Sequence, residues 1–254
     1  MIITVVAAIL FVSLVAVALL GGCLRRLLPA EHLSAESKDA VRLALGLVAT
    51  MTAILLGLLI SSAKGAFDTA RTEVMQMAAK VTLLDRMLKL YGPEAMDARR
   101  ALRDAIADGV RRTWPAEQSR PIQSAPNEQL GDAVYAAISR LDPRDEAQRA
   151  LKTQAATLMV QLAEVRALIQ AQAVSSVSKP LLIALVIWLV VIFFGFSLLA
   201  PPNVTTTLAL VAGAFSVACA VLIILELDYP FAGIIRIPSD PMINTLAHLA
   251  KDTT

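Results

Sequence analysis

The 254-residue sequence predicts an all-α fold. Four transmembrane helices are expected, with a helical-hairpin, coiled-coil-like extramembrane bundle inserted between the second and third. Three observations carry this reading. Ile2–Leu24, Val41–Ser62, Leu181–Ala200 and Thr206–Leu227 are apolar runs, each near the roughly 20 residues that span a bilayer. Charged residues enter those runs only at their ends, at Arg42 and Glu226, and gather between residues 64 and 179. The chain is 57% hydrophobic with a mean hydropathy of +0.66, far above an ordinary soluble protein.

Ile2–Leu24 has no Lys or Arg ahead of it. It therefore reads as a retained helix, since a secretory signal needs a basic start. Leu20-Gly21-Gly22-Cys23 resembles a lipoprotein cleavage box but lacks that basic start. Arg25 and Arg26 mark the exit from the membrane. Within the polar link Leu27–Asp39, Ser34 is a candidate N-cap, with Glu36 in the acid-favouring first turn.

Ser34 to Leu90 is the central element, a single helix with no Pro to stop it as it leaves the membrane. Within the apolar part, small residues recur every fourth position: Ala49, Ala53, Gly57, Ser61, then Gly65. Residues four apart share a helix face, and small side chains let another backbone approach closely in lipid. The ladder can pack the four helices of one chain. It can also pack around a symmetry axis and line a pore, with Thr50, Thr52, Ser61 and Ser62 as polar wall positions. Ser and Thr hydroxyls also bond to carbonyls of their own helix. Farther along, Phe67, Ala70, Val74, Met77, Val81, Leu84 and Leu88 alternate steps of three and four, a coiled-coil seam. At ~1.5 Å per residue, the outer part extends roughly 40 Å.

Gly92-Pro93 ends the helix. Glu94–Thr113 follows, with Ala98, Leu102, Ile106, Val110 and Trp114 on one face. Arg99, Arg100, Arg103, Arg111 and Arg112 make its other sides basic, which reads as a solvated face. Pro115–Asn127 is a loop, and Glu128–Leu141 a short helix. Arg144–Ser178 is a long helix whose Leu151, Leu158, Leu162, Val165 and Ile169 can run antiparallel to the central seam. Lys179-Pro180 opens the third span and Pro201-Pro202 closes it. Asn203-Val204-Thr205 fits a glycosylation sequon, but in a turn too tight to favour use. The expected segments are 1–62, a first transmembrane hairpin; 63–178, the extramembrane bundle; 179–228, a second transmembrane hairpin; and 229–254, a C-terminal tail.

The 23 Lys+Arg nearly cancel the 21 Asp+Glu, so no charge excess points to nucleic acid. Cys23 and Cys219 lie at or inside apolar runs, and His32 and His248 are far apart. No metal site and no cofactor is expected from this set. No nucleophile with a base, phosphate loop or paired carboxylates is seen, so no catalytic residue is assigned and an enzyme is not expected. The basic residues leave open which side of the membrane carries 63–178.

The fourth span ends in Glu226, Asp228, Tyr229, Pro230 and Phe231. Carboxylates at a membrane boundary serve anchoring beside an aromatic belt, an ion pathway or an intersubunit contact. The stretch Leu222 to Ser239, with Glu226, Asp228, Pro230-Phe231 and Gly233, is similar to the closing motif of the bacterial bestrophin-like membrane proteins, a domain family without an assigned role. Trp114-Pro115 matches a Trp-Pro of that family, and Leu47–Ala66 resembles its second membrane helix. The resemblance covers nearly the whole chain. It implies likeness to bestrophins, which are oligomeric anion channels gated by calcium. No acidic cluster suited to a calcium clasp is seen, and no row of bulky apolar residues on the second helix that would match a bestrophin constriction. From the motif only Asp228, Pro230, Phe231 and Gly233 carry over, with no role attached. The expected protein is a homo-oligomeric, multi-pass protein of the bacterial inner membrane, in contact with membrane lipid. It would pass a small ion through a pore lined by the second span. The alternative is a non-conducting scaffold or sensor whose bundle binds a partner.

Overall fold

The computed structural model describes residues 2–25, 35–114, 128–172, 178–201, 203–231 and 233–251, and among these there is no strand. The helices are α1 (Ile2–Arg25), α2 (Ala35–Tyr91), α3 (Met96–Thr113), α4 (Glu128–Ser139), α5 (Glu146–Gln172), α6 (Lys179–Leu199), α7 (Val204–Asp228) and α8 (Asp240–Lys251). A 3-10 turn, Pro93–Ala95, joins α2 to α3. Four helices, α1, α2, α6 and α7, are long and apolar enough to cross a membrane. The expected Ser34 cap, the Pro115–Asn127 loop and the end of the long helix at 173–177 lie outside the described residues.

The central helix is unbroken over 57 residues. Gly92, at φ 121°, stops it, and Pro93 opens the next turn. The chain forms two compact units. The first holds α1, α2 as far as Phe67, α6, α7 and residues 233–235. The second holds the rest of α2, α3 to α5, residues 230–231 and residues 236–251.

In the first unit α1 packs against α6 and α7. Each helix buries one stripe: Leu10, Leu14 and Ala18 on α1, Leu185, Leu189 and Ile192 on α6, Ala214, Ala218 and Val221 on α7. The spacing of three or four is that of a one-sided apolar face. At Gly21 the approach is so close that a Cβ would stand 2.9 Å from the Phe194 carbonyl oxygen. Beside it the Ser197 hydroxyl donates to the Ala18 carbonyl.

In the second unit α2 buries Ala70, Val74, Ala78, Val81, Leu84 and Leu88. Met77, expected in this seam, is half-buried, and Ala78 takes the buried position. Lys80 Nζ donates to Gln161 Oε1 (2.7 Å) and Gln148 Nε2 to the Tyr91 carbonyl (2.9 Å). Residue numbers that rise along α2 thus fall along α5. α3 turns Ala98, Leu102, Ile106 and Val110 inward.

Two features differ from expectation. Arg99 does not belong to a solvated basic face: it is 4% exposed and grips Asp85 of α2, with Nε 2.7 Å from Oδ1 and Nη2 3.2 Å from Oδ2. The residues after 229, read as a tail, contain α8, which buries Met242, Thr245 and Leu249 and packs on α3. The signal was present: Asp240-Pro241 suits a first turn, and 242, 245 and 249 share one helix face.

Candidate functional site

The first candidate is the inner half of α2. Leu45, Thr52, Leu55, Leu59, Ala63 and Phe67 are buried within the first unit. The small ladder lies elsewhere. Each step of four residues overshoots a full turn by about 40°, so the ladder winds around the helix. Ala49, at the edge of the buried face, is half-buried, whereas Ala53, Gly57, Ser61 and Gly65 are exposed. A Cβ built at Gly57 or Gly65 would meet nothing within 4 Å. Thr50 and Ser62 are exposed too. The Thr50 hydroxyl donates to the Gly46 carbonyl (2.9 Å) and that of Thr52 to Val48 (2.7 Å). Thr52, 6% exposed, therefore belongs to packing inside the chain rather than to a wall facing outward.

The uncovered face is not built of small residues alone. Leu47, Ile54 and Leu58, exposed by 61%, 68% and 57%, share it with Thr50, Gly57 and Ser61. A bulky row thus exists where none was expected. The steps of seven and four that link these three residues are the signal for it.

The second candidate is the closing motif. In the first unit Glu226 is buried, and its Oε2 accepts from the amides of Ile234 (2.5 Å) and Ile235 (3.2 Å). Gly233 enters this turn at φ 101°, and a Cβ there would collide with the Glu226 carboxylate. Successive amides around a glycine of this conformation form an anion-binding concavity, filled here by the chain's own carboxylate. Asp228 is also buried.

In the second unit Trp114 is the organising side chain. Its Nε1 donates to the Ile237 carbonyl (2.8 Å), and its ring meets Phe231 edge to face at 5.8 Å. Ile237 in turn donates its amide to the Pro230 carbonyl (2.8 Å). The sequence marks Trp114, Pro230 and Phe231 separately, and folding brings them together.

The basic residues on the outside of α3 pair with acids of the same helix: Arg100 with Asp97, Arg103 with Asp104, Arg111 and Arg112 with Asp108. Among the described residues no three His, Cys, Asp or Glu side chains gather as a metal site.

A family model described as the bestrophin-like domain matches residues 12–242. The chain belongs to the bestrophin-like family. Among solved structures it is similar to a bacterial bestrophin homologue from Klebsiella pneumoniae, at 17% identity and a TM-score of 0.70, with 97% of each chain covered. A mutant of that homologue gives 15% identity and 0.70, covering 96% of this chain and 98% of the other. A crystal structure described as a membrane protein gives 16% identity and 0.71, covering 97% and 98%. At such identities the likeness is one of fold. None of the curated proteins matches. The bestrophin-like chain is thus an all-helical membrane protein with the bestrophin fold.

Proposed function

We propose that this chain is one subunit of a homo-oligomeric ion channel, with α2 at the symmetry axis and Ala49, Thr50, Ala53, Gly57, Ser61 and Ser62 at or near the pore. One observation carries the reading. The face of α2 that holds Gly57 and Ser61 is uncovered in the single chain, while the opposite face is buried. Bare glycine backbone against fluid lipid forgoes the close helix contact that drives association in membranes. A second copy of the same helix supplies that contact. Thr50 and Ser61 then give the wall polar positions, and Leu47, Ile54 and Leu58 give it an apolar constriction. The motif at Glu226, Asp228, Pro230, Phe231 and Gly233 holds the turn beyond α7. The protein would be multi-pass in the bacterial inner membrane, with residues 63–178 in water.

The test is ion flux into liposomes containing purified protein, together with the mass of the detergent-solubilised particle. A particle of several subunits that passes ions is expected, with flux lost in Gly57→Trp. A strictly monomeric particle, or equal flux in Gly57→Trp and the unchanged protein, would overturn the proposal.

A further inference from the structure

A cleft of about 180 Å³ opens within the first unit between the end of α1, the end of α6 and the start of α7. Val15, Leu19, Gly22, Ala200, Leu210 and Val211 give it apolar walls, and Ser197, Thr206 and Thr207 give it polar atoms. It is smaller than the roughly 300 Å³ of a pocket that encloses a drug-sized ligand. It can therefore hold only part of a longer molecule that continues along the protein surface.

Its construction is specific. Gly21 locks α1 onto α6. At the neighbouring Gly22 a Cβ would stand 3.5 Å from Ser197 Oγ, an ordinary contact. The absence of a larger side chain at Gly22 thus leaves the floor open without being needed for the packing. One residue group then sets the charge. The half-buried Arg25 donates from Nη1 to the carbonyls of Leu199 and Ala200, and Ala200 lines the cleft. The guanidinium is held next to the lining residue Ala200 by uncharged acceptors, which leaves its positive charge uncompensated by these bonds. The amino-terminal turn of α7, with Thr206 and Thr207, faces the same cleft and adds the positive end of a helix dipole.

An apolar groove between membrane helices, with a guanidinium bonded to the backbone of one of its lining residues, matches one ligand chemistry. We infer that the cleft binds an anionic phospholipid. The upper part of an acyl chain lies along Val15, Leu19 and Val211, and the phosphate pairs with Arg25. A planar guanidinium engages phosphate oxygens through paired hydrogen bonds, and basic sites between helices at a membrane boundary select anionic headgroups. This inference does not rest on ion conduction.

Native mass spectrometry of the purified full chain, titrated with phosphatidylglycerol or phosphatidylcholine, tests it. The unchanged protein is expected to retain phosphatidylglycerol at least tenfold more than phosphatidylcholine. Arg25→Gln should equalise the two lipids. Gly22→Leu, which keeps the arginine but fills the cleft, should lower retention of both to the level of nonspecific attachment. Unchanged circular dichroism in Gly22→Leu separates loss of the site from loss of the fold. Equal retention of the two lipids by the unchanged protein, or a preference that survives both substitutions, would overturn the inference.

Discussion

Single residues explain the turn that follows α7. The Glu226 carboxylate occupies the space a side chain at position 233 would need, and the backbone there has φ 101°. Gly233→Ala therefore meets two penalties, a strained conformation of ~1–3 kcal/mol and a clash with the carboxylate. The second vanishes when the carboxylate is absent. Thermal unfolding in detergent should show Gly233→Ala costing less in a Glu226→Ala background than alone, and strict additivity would refute the coupling. The pair Arg99–Asp85 supplies a second test, because both side chains are nearly buried, at 5% and 12% exposure. Arg99→Met leaves an uncompensated carboxylate and should cost ~3–5 kcal/mol, whereas adding Asp85→Leu should restore most of it. Tyr91 offers the converse case. Its hydroxyl is buried without a hydrogen-bond partner, so Tyr91→Phe should leave the melting temperature unchanged or raise it, within about 1 kcal/mol. The sequence identifies Glu226 and Gly233 as members of a motif. It does not reveal that one accepts from the turn the other begins, because that contact depends on where the chain goes after α7.

At the scale of elements, most of the fold is legible because periodicity is a local property. The run from Ala35 to Tyr91 has no Pro, and it forms one helix. Steps of three and four from Phe67 to Leu88 predict its buried side, except at Met77, where the stripe shifts by one residue. Two elements mislead for physical reasons. Arg99 lies among other arginines, and composition alone assigns it to water. Only the approach of α3 to Asp85 makes burial tolerable. The helix α8 has only 12 residues, so its one-sided spacing, Met242, Thr245 and Leu249, rests on three positions, one of them polar. The continuity of α2 can be tested where small residues and charge meet. Lys64→Pro removes the amide that would bond to the Ile60 carbonyl and forces the ring against it, a cost of ~3 kcal/mol or more. A lower melting temperature with a measurable loss of helical circular dichroism is expected. An unchanged melting temperature would mean that this part of α2 contributes nothing to the cohesion of the molecule.

For the whole molecule, what matters is which face of α2 a partner subunit would meet. The sequence marks both Thr50 and Thr52 as polar positions, but they lie on different sides of the helix. Thr52 is buried among the chain's own helices, while Thr50 and Ile54 are exposed. A pore lined by the uncovered face therefore predicts opposite responses from neighbouring substitutions. Thr52→Val removes only a hydroxyl already bonded to Val48, so flux into liposomes should stay within about twofold while stability changes little. Ile54→Thr replaces a bulky apolar side chain at the constriction with a polar one. An apolar constriction blocks ions by expelling water, so wetting it should raise flux severalfold at equal protein density. A helix that merely faces lipid gives another pattern, because the polar substitution then disturbs only insertion and packing. Flux that responds to Thr52→Val but not to Ile54→Thr would mean that the axis lies on the other side of α2, and the proposed pore would have to be abandoned.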